Sequence, residues 1–194
     1  MFQTRIHGRG GQGVVTAAEL LADAAFREGH HAQAIPSFGS ERTGAPVVAY
    51  CRISSNPIRT REPIGRPDAL IIQDPTLVNQ VDVLAGLVPH GYVLLNSTRT
   101  SSELGLNGAA EHSQPERLLT VPATEMAVRN IGKPVPNSVL LGAFAALTEH
   151  IGLDSVAAAL LARFPGGMGR SNVAAATEAF TYVVETRQDL QRTP

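Results

Sequence analysis

The chain is poor in several residue types, and each shortage removes a class of function. Of its 194 residues one is cysteine, Cys51, so it has no internal disulfide. A single thiol also cannot hold an iron–sulfur cluster or a structural zinc. Lysine occurs once, at Lys133, and the other fifteen of the sixteen basic residues are arginines scattered along the chain. With a formal net charge of -1 and no basic stripe, neither nucleic acid nor an anionic membrane is an expected partner. No apolar run approaches the ~20 residues of a membrane helix, and the glycine-rich stretch begins too early for a signal peptide, so a soluble, cytoplasmic chain is expected. Charged residues make up only 17% and hydrophobic ones 43%, enough to bury a substantial core. One domain over residues 1–194 is expected.

Familiar catalytic patterns are missing too. The six histidines, His7, His30, His31, His90, His112 and His150, form no H-E-x-x-H set. Neither Ser37 nor Ser40 sits in a G-x-S-x-G elbow. Cys51 lies in an apolar strand segment, the setting of a packed residue rather than a nucleophile. No catalytic residue and no metal site is assigned.

What the chain has is glycine, in one place above all. "GRGGQG", residues 8–13, follows the alternating segment "FQTRIHG" and precedes a helical pattern from Val14 to Glu28. In that pattern Val14, Ala17, Ala18, Leu21, Ala24 and Ala25 share one face, and Gly29 stops the helix. The spacing of Gly8, Gly10 and Gly13 is G-x-G-x-x-G, which lets backbone N–H groups approach a phosphate at a helix N-terminus. No acidic residue follows between Gly29 and Gly39 to hold a ribose, and there is no G-K-[ST], so neither a nicotinamide fingerprint nor a hydrolytic P-loop is complete. Two readings stay open: a strand-to-helix turn that uses glycine for packing alone, and an anion site in which Arg9 adds a charged fork beside Gly8, Gly10, Gly11, Gln12 and Gly13.

The remaining segments are consistent with an α/β fold having a mostly parallel, Rossmann-like sheet and a helical C-terminal part. Strands are expected at "HAQAI", "VVAYCRI", "DALIIQ", "GYVLLN" and "RLLTVP". "SFGSERTGAP" is a loop, and so are residues 97–116. Helices are expected over Pro75–Val88 with Asp74 as N-cap and at "ATEMAVRNI". Three more, opening at Asn137, Asp154 and Ser171 as N-caps, form the tail. Ser37, Phe38, Glu41, Arg42 and Gly44, in the polar loop, are the candidate partner-contact residues, with part of the Ala-rich tail.

Four blocks in order, "IHGRGGQGVVTAAELLADAAFREG", "PSFGSERTGAPVVAYCRIS", "PDALIIQDPTLV" and "PNSVLLGAFAAL", resemble the gamma subunit of 2-oxoacid:ferredoxin oxidoreductases, the pyruvate synthase family, over residues 4–180. The resemblance implies a subunit of an enzyme that oxidatively decarboxylates a 2-oxoacid to an acyl-CoA on thiamine diphosphate with magnesium, passing electrons through 4Fe–4S clusters. Alpha, beta and ferredoxin-like delta subunits would carry those groups, and this chain would hold none of them while lying on the coenzyme A side. A phosphate-accepting glycine loop suits coenzyme A without any nicotinamide. The second block departs from the pyruvate type, which carries a doubled glycine after Glu-Arg, whereas here Thr43 precedes the single Gly44. That leaves the 2-oxoacid unassigned. The competing reading is a stand-alone nucleotide- or CoA-binding module.

Overall fold

A computed structural model describes residues 1–36, 43–106 and 114–192. Six strands form one sheet in the order β2-β3-β1-β4-β5-β6. They are β1 (Phe2–Arg9), β2 (His31–Pro36), β3 (Pro46–Ser54), β4 (Ala69–Ile72), β5 (Tyr92–Asn96) and β6 (Leu118–Val121). Strands β1, β4, β5 and β6 run parallel to one another, while β3 pairs antiparallel with both β1 and β2. The expected α/β class and mostly parallel sheet are therefore present.

Among the described residues five α-helices accompany the sheet: α1 (Val14–Arg27), α2 (Ala123–Ile131), α3 (Asn137–Thr148), α4 (Leu153–Arg163) and α5 (Gly167–Arg192). All six residues expected on the apolar face of α1 are buried, with Leu20 beside them. β4 is apolar at every position because it is covered on both faces. Ala69 and Ile71 pack with α1, α3 and α5, whereas Leu70 and Ile72 join Leu77, Val83, Leu104 and Leu106 on the other side. Helix α3 is buried along its whole length and forms the centre of the helical layer.

The expected helix over Pro75–Val88 is a correction. Asp74 does cap a helical start, accepting from the Thr76 N–H, but the helix is a short 3-10 turn, Pro75–Asn79. Two features mark the stretch that follows it. The Arg5 guanidinium donates to the carbonyl oxygens of Val83 (3.0 Å) and Ala85 (2.7 Å), tying this stretch to β1. Gly86 then adopts φ 72°, outside the helical region. The tail caps also differ. Asn137 is the first residue of α3, after Pro136. Asp154 lies inside the first turn of α4, where its charge suits the dipole, and Ser171 lies inside α5, which opens at Gly167.

Candidate anion-binding site

The glycine segment leaves β1 at its carboxyl end, beside β4. This is the place where neighbouring connections of an open α/β sheet diverge and ligands settle. Gly8 is required by close approach: a Cβ there would meet Val14 Cγ2 at 2.6 Å. Gly13 is required twice. It adopts the left-handed conformation, φ 72° and ψ 34°, and a side chain there would run into Asn137. Gly10 joins the loop to the segment before β3, its N–H donating to Ala45 O (3.0 Å) and its carbonyl accepting from Gly44 N (3.1 Å). Gly44, expected as a partner contact, thus touches the glycine loop directly. Ser37, Phe38, Glu41 and Arg42 lie outside the described residues.

Among the described residues no side chain caps the start of helix α1. Gly13 supplies no side-chain cap, and the first turn holds no acidic residue. The leading N–H groups of a helix have no intrahelical acceptor, and together they carry about half a positive charge. They open onto a cleft of about 250 Å³ lined by Arg9, Gly11, Gly13, Val14, Val15, Thr16 and Val47. None of these lining residues is acidic, so the cleft suits an anion.

Arg9 has a different disposition from a free fork. Its Nε donates to Asp74 Oδ2 (3.1 Å), one terminal nitrogen to Gly44 O (2.9 Å), and the other to Thr76 Oγ1 (2.6 Å) and Gln80 Oε1 (2.9 Å). Among the described residues four of its five donors are therefore engaged within the chain. Gln12 is tied in the same way, its amide nitrogen donating to Asp74 Oδ2 (2.9 Å) and its carbonyl accepting from Arg9 N (2.8 Å). Burial opposes ionisation of Asp74, but the bonds from Thr76 and Gln12 and the Arg9 charge outweigh it and hold the carboxyl below its usual range. Sequence reasoning gave Asp74 only a capping role and missed Thr16, Val47 and Asn137. The available signal was position, since Asp74 follows β4 at the same end of the sheet as the loop.

Behind the loop the interior is polar. Gln73 is fully buried, and among the described residues neither of its amide atoms has a hydrogen-bond partner. Asn96 bonds Gln73 O and Thr124 Oγ1, both at 2.8 Å. Ser138 donates to Asn172 Oδ1 (2.6 Å), joining the starts of α3 and α5. The two reactive side chains on this side of the sequence are quiet. Cys51 is buried in β3, which pushes its thiol up to about 12, and burial together with the Arg5 charge brings His7 down to about 4.

The model of the pyruvate ferredoxin/flavodoxin oxidoreductase family matches residues 3–182. Pyruvate synthase subunit PorC of Methanothermobacter marburgensis is 44% identical over 93% of this chain and 96% of its own. The pyruvate/ketoisovalerate oxidoreductase common subunit gamma of Thermococcus kodakarensis is 45% identical over 95% and 98%. Among solved structures, pyruvate oxidoreductase subunit PORC of Thermotoga maritima superposes with a TM-score of 0.78 at 29% identity, covering 93% of this chain and 95% of that one. A 2-oxoglutarate:ferredoxin oxidoreductase from Magnetococcus marinus, solved with 2-oxoglutarate, coenzyme A and succinyl-CoA bound, shares the fold at a TM-score of 0.72 and 18% identity. The match covers 95% of this chain and 31% of that longer one. The chain belongs to the pyruvate ferredoxin/flavodoxin oxidoreductase family and is of its gamma-subunit type.

Proposed function

We propose that this chain works in a hetero-oligomeric 2-oxoacid:acceptor oxidoreductase that converts a 2-oxoacid and coenzyme A to an acyl-CoA, and that its glycine loop forms part of the coenzyme A side. The observation that carries this reading is the bare start of α1, with no side-chain cap and no acid in its first turn, opening onto a cleft. The phosphates of coenzyme A suit backbone donors at a helix N-terminus. Gly8, Gly10 and Gly13 give the loop its path, Gly11 and Gly13 line the cleft, and Arg9 and Gln12 hold the loop in shape. The relatives' names favour pyruvate, or a branched 2-oxoacid such as ketoisovalerate, as the oxidised substrate.

Thiamine diphosphate, magnesium and 4Fe–4S clusters belong on alpha, beta and delta partners. A cluster takes four thiolates, and this chain has one thiol, buried in β3. The segment around Ser37, Phe38, Glu41, Arg42 and Gly44, with part of the C-terminal helices, is the proposed assembly surface.

Thr16→Asp tests the coenzyme A side. At the third position of α1 a carboxylate complements the dipole, so the helix and the complex remain intact. The same charge repels an anion in the cleft. In the assembled enzyme the KM for coenzyme A should rise about tenfold or more, while the KM for the 2-oxoacid stays within about twofold. An unchanged KM for coenzyme A would overturn this reading.

A further inference from the structure

We propose that Asp74 is a positioning residue for the glycine loop, clamping it from the β4 side so that an anion is directed to the cleft on the β3 side. The proposal rests on the coenzyme A reading above and gives that site its polarity. Asp74 lies 65 residues from Arg9 in sequence, yet its carboxylate joins the end of β4 to the loop after β1. Oδ2 accepts from Arg9 Nε at 3.1 Å and from Gln12 Nε2 at 2.9 Å. Oδ1 accepts from Thr76 N at 3.0 Å and from Thr76 Oγ1 at 2.6 Å.

These bonds reach the backbone through Gln12. Held by Asp74 at its nitrogen, the Gln12 amide presents its oxygen to Arg9 N, while Gln12 N donates to Arg9 O at 3.0 Å. Both main-chain polar groups of Arg9 are thus closed onto Gln12, and the turn that leads into Gly13 and α1 is fixed before any ligand arrives. Preorganised donors lose less on binding than donors that must be ordered at that moment.

The carboxylate also closes one side. An anion approaching Arg9 from β4 would meet Asp74, already bonded to the guanidinium, and like charges at that range repel. On the β3 side the cleft residues Gly11, Gly13, Val14, Val15, Thr16 and Val47 carry no negative charge. The Arg9–Asp74 pair therefore acts as a scaffold and a screen, and the direct ligands are backbone N–H groups.

The test uses the assembled oxidoreductase carrying Asp74→Ala or Asp74→Asn. Asparagine keeps an oxygen for Thr76 N, but its NH2 group cannot accept from Arg9 and Gln12, so it breaks the clamp with less disturbance and serves if the alanine variant fails to assemble. Both variants should raise the KM for coenzyme A about tenfold, with kcat at saturating coenzyme A and the KM for the 2-oxoacid within about threefold. Amide hydrogen exchange over residues 9–16 should quicken, because the turn has lost its tie. An unmoved KM for coenzyme A in both Asp74 variants, alongside a raised one in Thr16→Asp, would overturn the positioning role and leave the coenzyme A reading standing. If Thr16→Asp is also silent, the coenzyme A reading fails, and unchanged exchange in residues 9–16 would overturn the clamp as well.

Discussion

Arg5 and His7 stand two residues apart on β1, alternating with Thr4 and Ile6, and both are buried. Arg5 Nε donates to His7 Nε2 at 2.9 Å, so that nitrogen holds a lone pair and the neutral ring carries its proton on Nδ1. A second proton on His7 would destroy this bond and place two positive charges together in the interior. Burial is the larger reason, and the Arg5 charge the smaller, that His7 titrates at about 4 instead of 6.5. In the unfolded chain His7 takes up a proton below about 6.5, whereas the folded chain resists until about 4. Its contribution is therefore complete above pH 6.5, is lost as the pH falls toward 4, and changes no further below that. The difference corresponds to about 3 kcal/mol. Urea unfolding of the isolated chain between pH 7 and 4 should show this loss, and His7→Gln should flatten the profile in that window. An equal slope in both proteins would mean that His7 is already protonated in the folded chain.

Helices α3 and α5 meet without room between them. A Cβ on Gly142, in the middle of α3, would fall against the backbone of Ala176 in α5, and backbone cannot swing aside as a side chain can. Gly142→Ala should push the helices apart and lower the unfolding free energy by about 1–3 kcal/mol in denaturant titrations. An unshifted midpoint would mean that the two helices separate freely. The α1 helix was legible in the sequence because its buried face repeats every three or four residues, a local signal. The short helical start at Asp74 was legible as a cap, but its early end was not, since the stretch beyond it is held by Arg5, about eighty residues away. The site divides in the same manner. Glycine spacing marked the loop, whereas the meeting of Gly10 with Gly44 and of Arg9 with Asp74 depends on strand order, which no local pattern encodes.

At the scale of the whole molecule the proposed function divides the work: this chain offers a scaffold and the proposed anion site, and partner subunits carry out the oxidative decarboxylation. Its formal net charge of -1 gives no broad field to draw in an anionic cofactor, so the proposed site relies on the local helix terminus. Its one thiol is buried and held at about 12, and the His7 imidazole is enclosed beside Arg5, so neither is poised as a nucleophile or general base for solvent-borne substrate. In the proposed function the electrons pass to iron–sulfur clusters, and one cysteine does not supply the four thiolates that such a cluster takes. The isolated chain supplied with 2-oxoacid, coenzyme A, thiamine diphosphate, magnesium and a viologen dye should therefore show no turnover above the protein-free control. Adding the proposed alpha, beta and delta partners should restore dye reduction in proportion to the gamma chain incorporated, measured by the colour of the reduced viologen and by acyl-CoA formed. Coenzyme A binding and catalysis are expected to separate in this experiment: Thr16→Asp should assemble and still reduce dye at saturating coenzyme A. Dye reduction by the purified gamma chain alone, at a rate near that of the complex, would place the chemistry in this subunit and overturn the division of labour.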